Sequence, residues 1–170
     1  YWDGYSDKLS ILIGGGVGIA PILNLNNYLE EIGENKALIM GARNSDEHFI
    51  VHNPGERVYI TTDDGSLGIK GNVIDAVQYI FANQSIPNNT KLFSCGPPLM
   101  MEAVRSYSLG NNLACDLALE TIMACGIGIC QGCTVERKVD QLAEHSYRSR
   151  FALACIDGPI FSTREIVACG

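Results

Sequence analysis

Short apolar runs alternate with amphipathic stretches along the first two thirds of the chain. Leu9 to Ile13, Ala37 to Gly41, Val58 to Thr62 and Lys91 to Cys95 are too short for helices and read as buried strands; Leu113 to Leu119 reads as a fifth. Between them the period changes to that of a helix. Ile19 to Ile32 places Ile22, Leu25, Leu29 and Ile32 on one face. Asn72 to Asn83 turns Val73, Val77, Ile80 and Phe81 inward, and Pro98 to Ser108 carries Met101 and Val104. Strands alternating with helices predict an α/β fold, a five-stranded parallel doubly wound sheet, with ligands at the carboxyl ends of the strands. From Cys125 onward this periodicity fades, and glycines and cysteines take over. Glu136 to Arg150 is polar and reads as a solvated excursion, and Phe151 to Phe161 is apolar again. The expected division is therefore residues 1–118 and a small module of residues 119–170.

Composition narrows the classes. The chain has 170 residues and a net charge of −7. It shows no basic patch, so nucleic acid is not an expected partner. No run of about 18 apolar residues occurs, so no membrane span is expected. The first residues, YWDGYSDKLS, lack the layout of a signal peptide. They also lack Met and enter the first strand almost at once, so the sequence is expected to continue upstream. Seven cysteines without a secretory signal point to a reducing, cytoplasmic setting, where clustered thiols usually mean metal.

The motifs follow the strands. After the first comes Gly14-Gly15-Gly16-Val17-Gly18-Ile19-Ala20-Pro21, a G-x-G-x-x-P variant of a dinucleotide turn. Its glycines let the backbone approach a pyrophosphate, and the helix that follows offers free N–H groups. A tight strand-to-helix turn without ligand is the alternative. After the third strand comes Thr62-Asp63-Asp64-Gly65-Ser66. A carboxylate there would accept ribose hydroxyls and repel a 2′-phosphate, favouring NAD over NADP; a simple Asp-Gly turn is equally compatible. After the fourth come Ser94, Cys95, Gly96 and Pro97. Cys95 is the candidate catalytic residue, at the carboxyl edge near a bound nicotinamide, against the plainer role of a packed thiol.

The strongest signal is Cys125-x4-Cys130-x2-Cys133. This is the spacing of plant-type [2Fe–2S] clusters, which take a fourth, distant cysteine. Gly126, Gly128 and Gly132 would let the loop wrap a cluster. A zinc ribbon would show a second C-x2-C pair, and the sequence has none. The fourth ligand lies among Cys95, Cys155 and Cys169, with Cys115 a core filler. Cys155 is favoured because it follows an apolar run and precedes the turn Asp157-Gly158-Pro159. The histidines His48, His52 and His145 lie in polar stretches and are expected at the surface.

Taken in order, these pieces resemble the electron-transfer subunits of type B dihydroorotate dehydrogenase, within the ferredoxin–NADP reductase-like superfamily. The resemblance is carried by Gly14 to Pro21, by Thr62 to Ser66 with Gly68 and Gly71, by Cys95-Gly96-Pro97 with Met100, by Leu119-Glu120-x-x-Met123-Ala124-Cys125-Gly126, and by Cys155-x-Asp157-Gly158-Pro159-x-Phe161. It implies a ferredoxin reductase-like NAD-binding domain, with Gly14, Gly15, Gly16, Val17, Gly18, Pro21, Thr62, Asp63, Asp64, Gly65, Gly96 and Pro97 around the nucleotide. It also implies a [2Fe–2S] cluster on Cys125, Cys130, Cys133 and Cys155, an FAD, and a flavin-containing catalytic partner. The family's FAD-binding barrel has no counterpart in this sequence, and the span from Cys133 to Cys155 carries an insertion. A flavin is chemically expected, because NADH gives two electrons as a hydride and a cluster takes one at a time. Similar modules occur in sulfide dehydrogenase, transhydrogenase and hydrogenase complexes, and a non-catalytic redox sensor is a further reading.

Overall fold

A computed structural model describes residues 8–138 and 147–169. Seven strands form the main sheet in the order β4-β3-β2-β1-β5-β6-β9, namely Ile69–Lys70, Val58–Thr62, Lys36–Ala42, Ser10–Gly15, Lys91–Cys95, Ala114–Ala118 and Ile160–Ser162. The five expected strands are all present and mutually parallel. Two short strands extend them: β4 adds in parallel to β3, and β9 returns antiparallel to β6. The remaining pair, β7 (Thr134–Glu136) and β8 (Phe151–Leu153), forms a separate ribbon. Their brevity and mixed polarity hid β4 and β9 from a reading of periodicity.

Helix α1 (Ile19–Glu31) packs on one face of the sheet, against Leu12, Leu38 and Met40. Helices α2 (Val73–Asn83) and α3 (Pro98–Gly110) cover the other, against Ile11, Ile13 and Ile39. Both faces are therefore buried, which is why Ile11 to Ile13 of β1 are apolar without alternation. Val77 and Ile80 of α2 are completely buried, each worth roughly 1.5–3 kcal/mol. Asn72 caps α2: its Oδ1 accepts the Ile74 N–H at 2.8 Å, and Asp75 Oδ2 accepts the Asn72 N–H at 2.7 Å.

Three local expectations are revised. Ile32 is 46% exposed, because α1 ends at Glu31 and the chain turns at Gly33 with φ +73°. His48 and His52 are half-buried: His48 Nε2 lies 3.1 Å from the Thr61 carbonyl, and His52 Nδ1 accepts the Ile60 N–H at 3.0 Å. The two-residue β4 leaves backbone groups of β3 to find side-chain partners. His145, and with it the middle of the stretch 136–150, lies outside the described residues.

The boundary at 118/119 falls at the end of β6. Across it the two parts share a sheet through β9 and a core through Phe161, Leu153 and Leu117. The Leu119 N–H also donates to the Pro159 carbonyl at 3.0 Å.

Candidate functional site

The carboxyl ends of β1, β2 and β3 open into a cavity of about 840 Å³. The chain reverses its direction of growth between β1 and β5, so a crevice at this edge is expected from topology. Gly15, Gly16 and Val17 form one wall, Asp63 closes the β3 side, and Leu99 and Met100 of α3 close another. Helix α1 begins at the far end of the glycine turn with no side-chain cap and no acidic residue in its first turn. Its N–H groups and positive end are thus open to an anion.

The glycines of this turn have distinct reasons. A Cβ on Gly18 would lie 2.5 Å from backbone atoms of Cys95 and Gly96, so Gly18 lets the β1–α1 and β5–α3 turns touch. A Cβ on Gly96 would meet the Met100 methyl at 2.5 Å and the Gly15 backbone at 3.0 Å. Pro21 sits exposed in the first turn of α1.

At β3 the sequence candidates separate. Thr62 is buried, and its hydroxyl donates to the Leu67 carbonyl at 2.8 Å, so it shapes the loop. Asp64 is committed to the same loop: its Oδ1 accepts the Ser66 N–H at 2.9 Å and the Ser66 hydroxyl at 2.6 Å, which hold the carboxyl below its ordinary value. Gly65, at φ +78°, completes that turn. Asp63 is exposed and lines the cavity. Of the two carboxylates, Asp63 is the one that faces the cavity.

Cys95 does not line the cavity. It is 3% exposed and packs with Leu12, Ile19 and Ile22 on the α1 side. Burial, and then the charge of Glu120, raise its thiol. Within this chain Cys95 is a packed side chain, the plainer of the two roles its sequence offered, because its position on β5 points it into the layer under α1.

Other cavity residues escaped the sequence reading. Arg43, Glu47 and Phe49 follow β2, Thr61 is on β3, Asn72 and Val73 begin α2, and Leu99 and Ala103 belong to α3. Two signals pointed to them. Arg43 ends a buried strand with a charge, and Asn72 with Asp75 has the spacing of a capping box.

The thiol loop follows the carboxyl end of β6, at the same edge of the sheet. Gly126 and Gly128 adopt φ of +67° and +78°, and Gln131 +58°, which coil the backbone around the sulfurs. Two thiol pairs result. Cys133 Sγ lies 3.2 Å from Cys155 Sγ, and the Cys130 N–H donates to Cys125 Sγ at 3.3 Å. The Gly132 N–H reaches Cys130 Sγ at 3.5 Å. Backbone N–H groups of Cys130 and Ile127 lower the Cys125 thiol to about 6. Hydrogen bonding from Cys155 lowers Cys133, and sharing that proton raises Cys155. The other candidates lie elsewhere. Cys115 is buried in β6 and pushed up to about 12 by burial. Cys169, likewise pushed to about 12 by burial, sits beside Glu102 and Arg105 of α3.

These four thiols fit a two-iron cluster. Each iron takes two thiolates, so two pairs are wanted and not one convergent point. The inward N–H groups supply the hydrogen bonds that anionic sulfur requires. Around the loop Ile122, Met123, Ile127, Ile129 and Ile156 are exposed, a concentration of apolar surface typical of contact sites. Among the described residues no helix is long and apolar enough to cross a membrane.

Comparison with known proteins agrees with this geometry. Residues 12–106 match the oxidoreductase NAD-binding domain family, and residues 120–167 match the iron–sulfur cluster binding domain of dihydroorotate dehydrogenase B. The dihydroorotate dehydrogenase B (NAD(+)) electron transfer subunit of Caldanaerobacter subterraneus subsp. tengcongensis is 35% identical over 163 residues, covering 94% of this chain and 60% of that protein. Its counterpart in Streptococcus pneumoniae strain R6 is 34% identical over 159 residues, covering 92% and 57%. The chain thus spans about 60% of the curated relatives it matches. Among solved structures, an NADH-dependent reduced ferredoxin-NADP oxidoreductase superposes with TM-score 0.75 at 29% identity, over 95% of this chain and 54% of that one. A part of full-length CYP116B46 from Tepidiphilus thermophilus, 27% of that chain, shares the fold over 91% of this one, with TM-score 0.53 at 15% identity.

Proposed function

Because the chain belongs to the oxidoreductase NAD-binding domain family and carries the iron–sulfur cluster binding domain of dihydroorotate dehydrogenase B, we propose that it is the NAD- and cluster-binding part of a cytoplasmic dihydroorotate dehydrogenase electron-transfer subunit, acting in pyrimidine biosynthesis. One observation carries the reading: the nucleotide cavity and the thiol loop open at the same edge of one sheet, the cavity at β1–β3 and the loop after β6. When bound, NAD(H) would exchange an electron pair as one hydride, an FAD held mainly by a further domain would split the pair, and the cluster would carry single electrons.

The chain's own residues bind and orient. The turn Gly14 to Gly18 brings N–H groups to the pyrophosphate, and Asp63 accepts the ribose hydroxyls. Pro97 lines the cavity, and Gly96 packs against the backbone of Gly15 beside it. Cys95 contributes through its backbone and packing, not as a thiolate. Cys125 with Cys130, and Cys133 with Cys155, hold the cluster. The exposed isoleucines around the loop supply surface for a flavin-containing catalytic subunit.

The test is anaerobic purification of the natural full-length protein with its partner. Bound iron and sulfide, visible absorption lost in Cys130→Ser, and dihydroorotate-dependent reduction of NAD support the reading. A Cys130→Ser variant with full-strength absorption would sink the cluster assignment. Turnover with reduced ferredoxin but not with dihydroorotate would favour the second reading suggested by the 29% identical oxidoreductase, a subunit of another redox complex.

A further inference from the structure

We infer that Glu47 is a specificity-determining residue which, by occupying Arg43, makes the cavity accept NAD(H) and reject its 2′-phosphorylated form. The inference rests on the reading of the cavity as a nucleotide site. Among the described residues lining it, Arg43 is the one cation. A free guanidinium at such a rim forks onto phosphate in two hydrogen bonds and would recruit NADP(H).

That guanidinium is not free. Its Nε donates to Glu47 Oε1 at 2.7 Å, and Nη2 pairs with the same oxygen. The second oxygen, Oε2, accepts the Arg43 backbone N–H at 3.1 Å. Both carboxylate oxygens are therefore spent on one residue. The intervening turn is built to hold this arrangement. Residues Ser45–Glu47 form one helical turn, opened by Asn44, whose Oδ1 accepts the Asp46 N–H at 3.0 Å. The Ser45 N–H donates to Ser66 Oγ at 2.8 Å, and Ser66 is itself anchored on Asp64. The loop after β2 is thereby latched to the loop after β3 that carries Asp63.

The charges then decide. Arg43 and Glu47 cancel, and Asp63 leaves the rim with one net negative charge. A ribose diol donates to that carboxylate, whereas a 2′-phosphate, bringing about −1.5 to −2 charges, meets repulsion and finds Arg43 already paired with Glu47. Arg43 is 82% exposed on its side chain, so the pair adds little to stability and its removal leaves the fold standing.

The experiment compares kcat/KM for NADPH and NADH in the full-length protein, with a one-electron dye as acceptor. Glu47→Gln is expected to raise the NADPH-to-NADH ratio roughly two- to fivefold, the worth of an exposed ion pair, mainly through KM for NADPH. Glu47→Ala, which also clears the space, is expected to match or exceed it. Adding Arg43→Gln to either variant should abolish the gain. A loss of folded protein scales both substrates alike and leaves the ratio where it was. An unchanged ratio in both single variants, or a gain that survives loss of Arg43, overturns the inference. A wild type that turns over neither nucleotide overturns the reading of the cavity itself; one that turns over NADH with an unmoved ratio in the variants overturns only the role of Glu47.

Discussion

Gly18 should be the least replaceable glycine of the nucleotide turn, for reasons of space and not of conformation. Its φ of −63° is an ordinary helical value. A methyl group there, however, would lie 2.5 Å from the carbonyl carbon and oxygen of Cys95 and from the Gly96 nitrogen. A relaxed contact needs about 3.5 Å, so the two turns must part by about 1 Å. Neither partner is the loose end of a side chain. Overpacking of this kind costs about 1–3 kcal/mol, and contact with backbone places Gly18→Ala near about 3 kcal/mol. With a urea slope of about 2 kcal/mol/M, the unfolding midpoint should fall by about 1.5 M. Gly16 is the control. It has φ +53°, and a Cβ there would find its nearest neighbour, Pro97 Cγ, at an open 3.8 Å. Gly16→Ala meets only the left-handed strain of about 1 kcal/mol, a shift of about 0.5 M, yet its methyl joins the cavity wall and should weaken NADH binding. The assay is urea unfolding of both variants beside NADH titration. Equal midpoints, or Gly16→Ala as the less stable of the two, would refute the close-approach argument.

Three further outcomes are expected. Asn72→Ala removes the cap of α2 and should cost about 1 kcal/mol by the same unfolding assay, with a parallel loss of NADH affinity because Asn72 lines the cavity. Glu102 is held down to about 2 chiefly by hydrogen bonding from Arg105. Its contribution to stability is therefore complete above the ordinary carboxyl value and fades as pH falls through about 2, so the Tm gap between wild type and Glu102→Gln should be full at pH 6 and closed near pH 2; a constant gap would contradict it. Cys155→Ser should lose iron and sulfide on purification while Cys169→Ser retains both, since Cys155 stands at Cys133 and Cys169 beside α3; loss in Cys169→Ser alone would reverse the choice of fourth ligand.

Much of this protein was written locally. The five parallel strands and three long helices follow from apolar periodicity, because a strand buried on both faces and a helix buried on one each leave a pattern within a dozen residues. The glycine turn and the Cys125-x4-Cys130-x2-Cys133 loop were legible for the same reason: their chemistry depends on residues close in the chain. What the tertiary structure decided lies where distant segments meet. Asp63 and Asp64 are neighbours in sequence and indistinguishable by type, yet only the fold turns one to the cavity and ties the other to Ser66. Cys95 belongs to a telling motif, but strand parity buries it beneath α1. Strand β9 is three residues of no clear pattern until β6 offers it an edge. Cys155 was favoured over Cys169 by its turn and family context, and the approach of 3.2 Å to Cys133 across 22 residues is a fact of packing. Local periodicity records what each segment buries, and only long-range contact settles which buried group meets which.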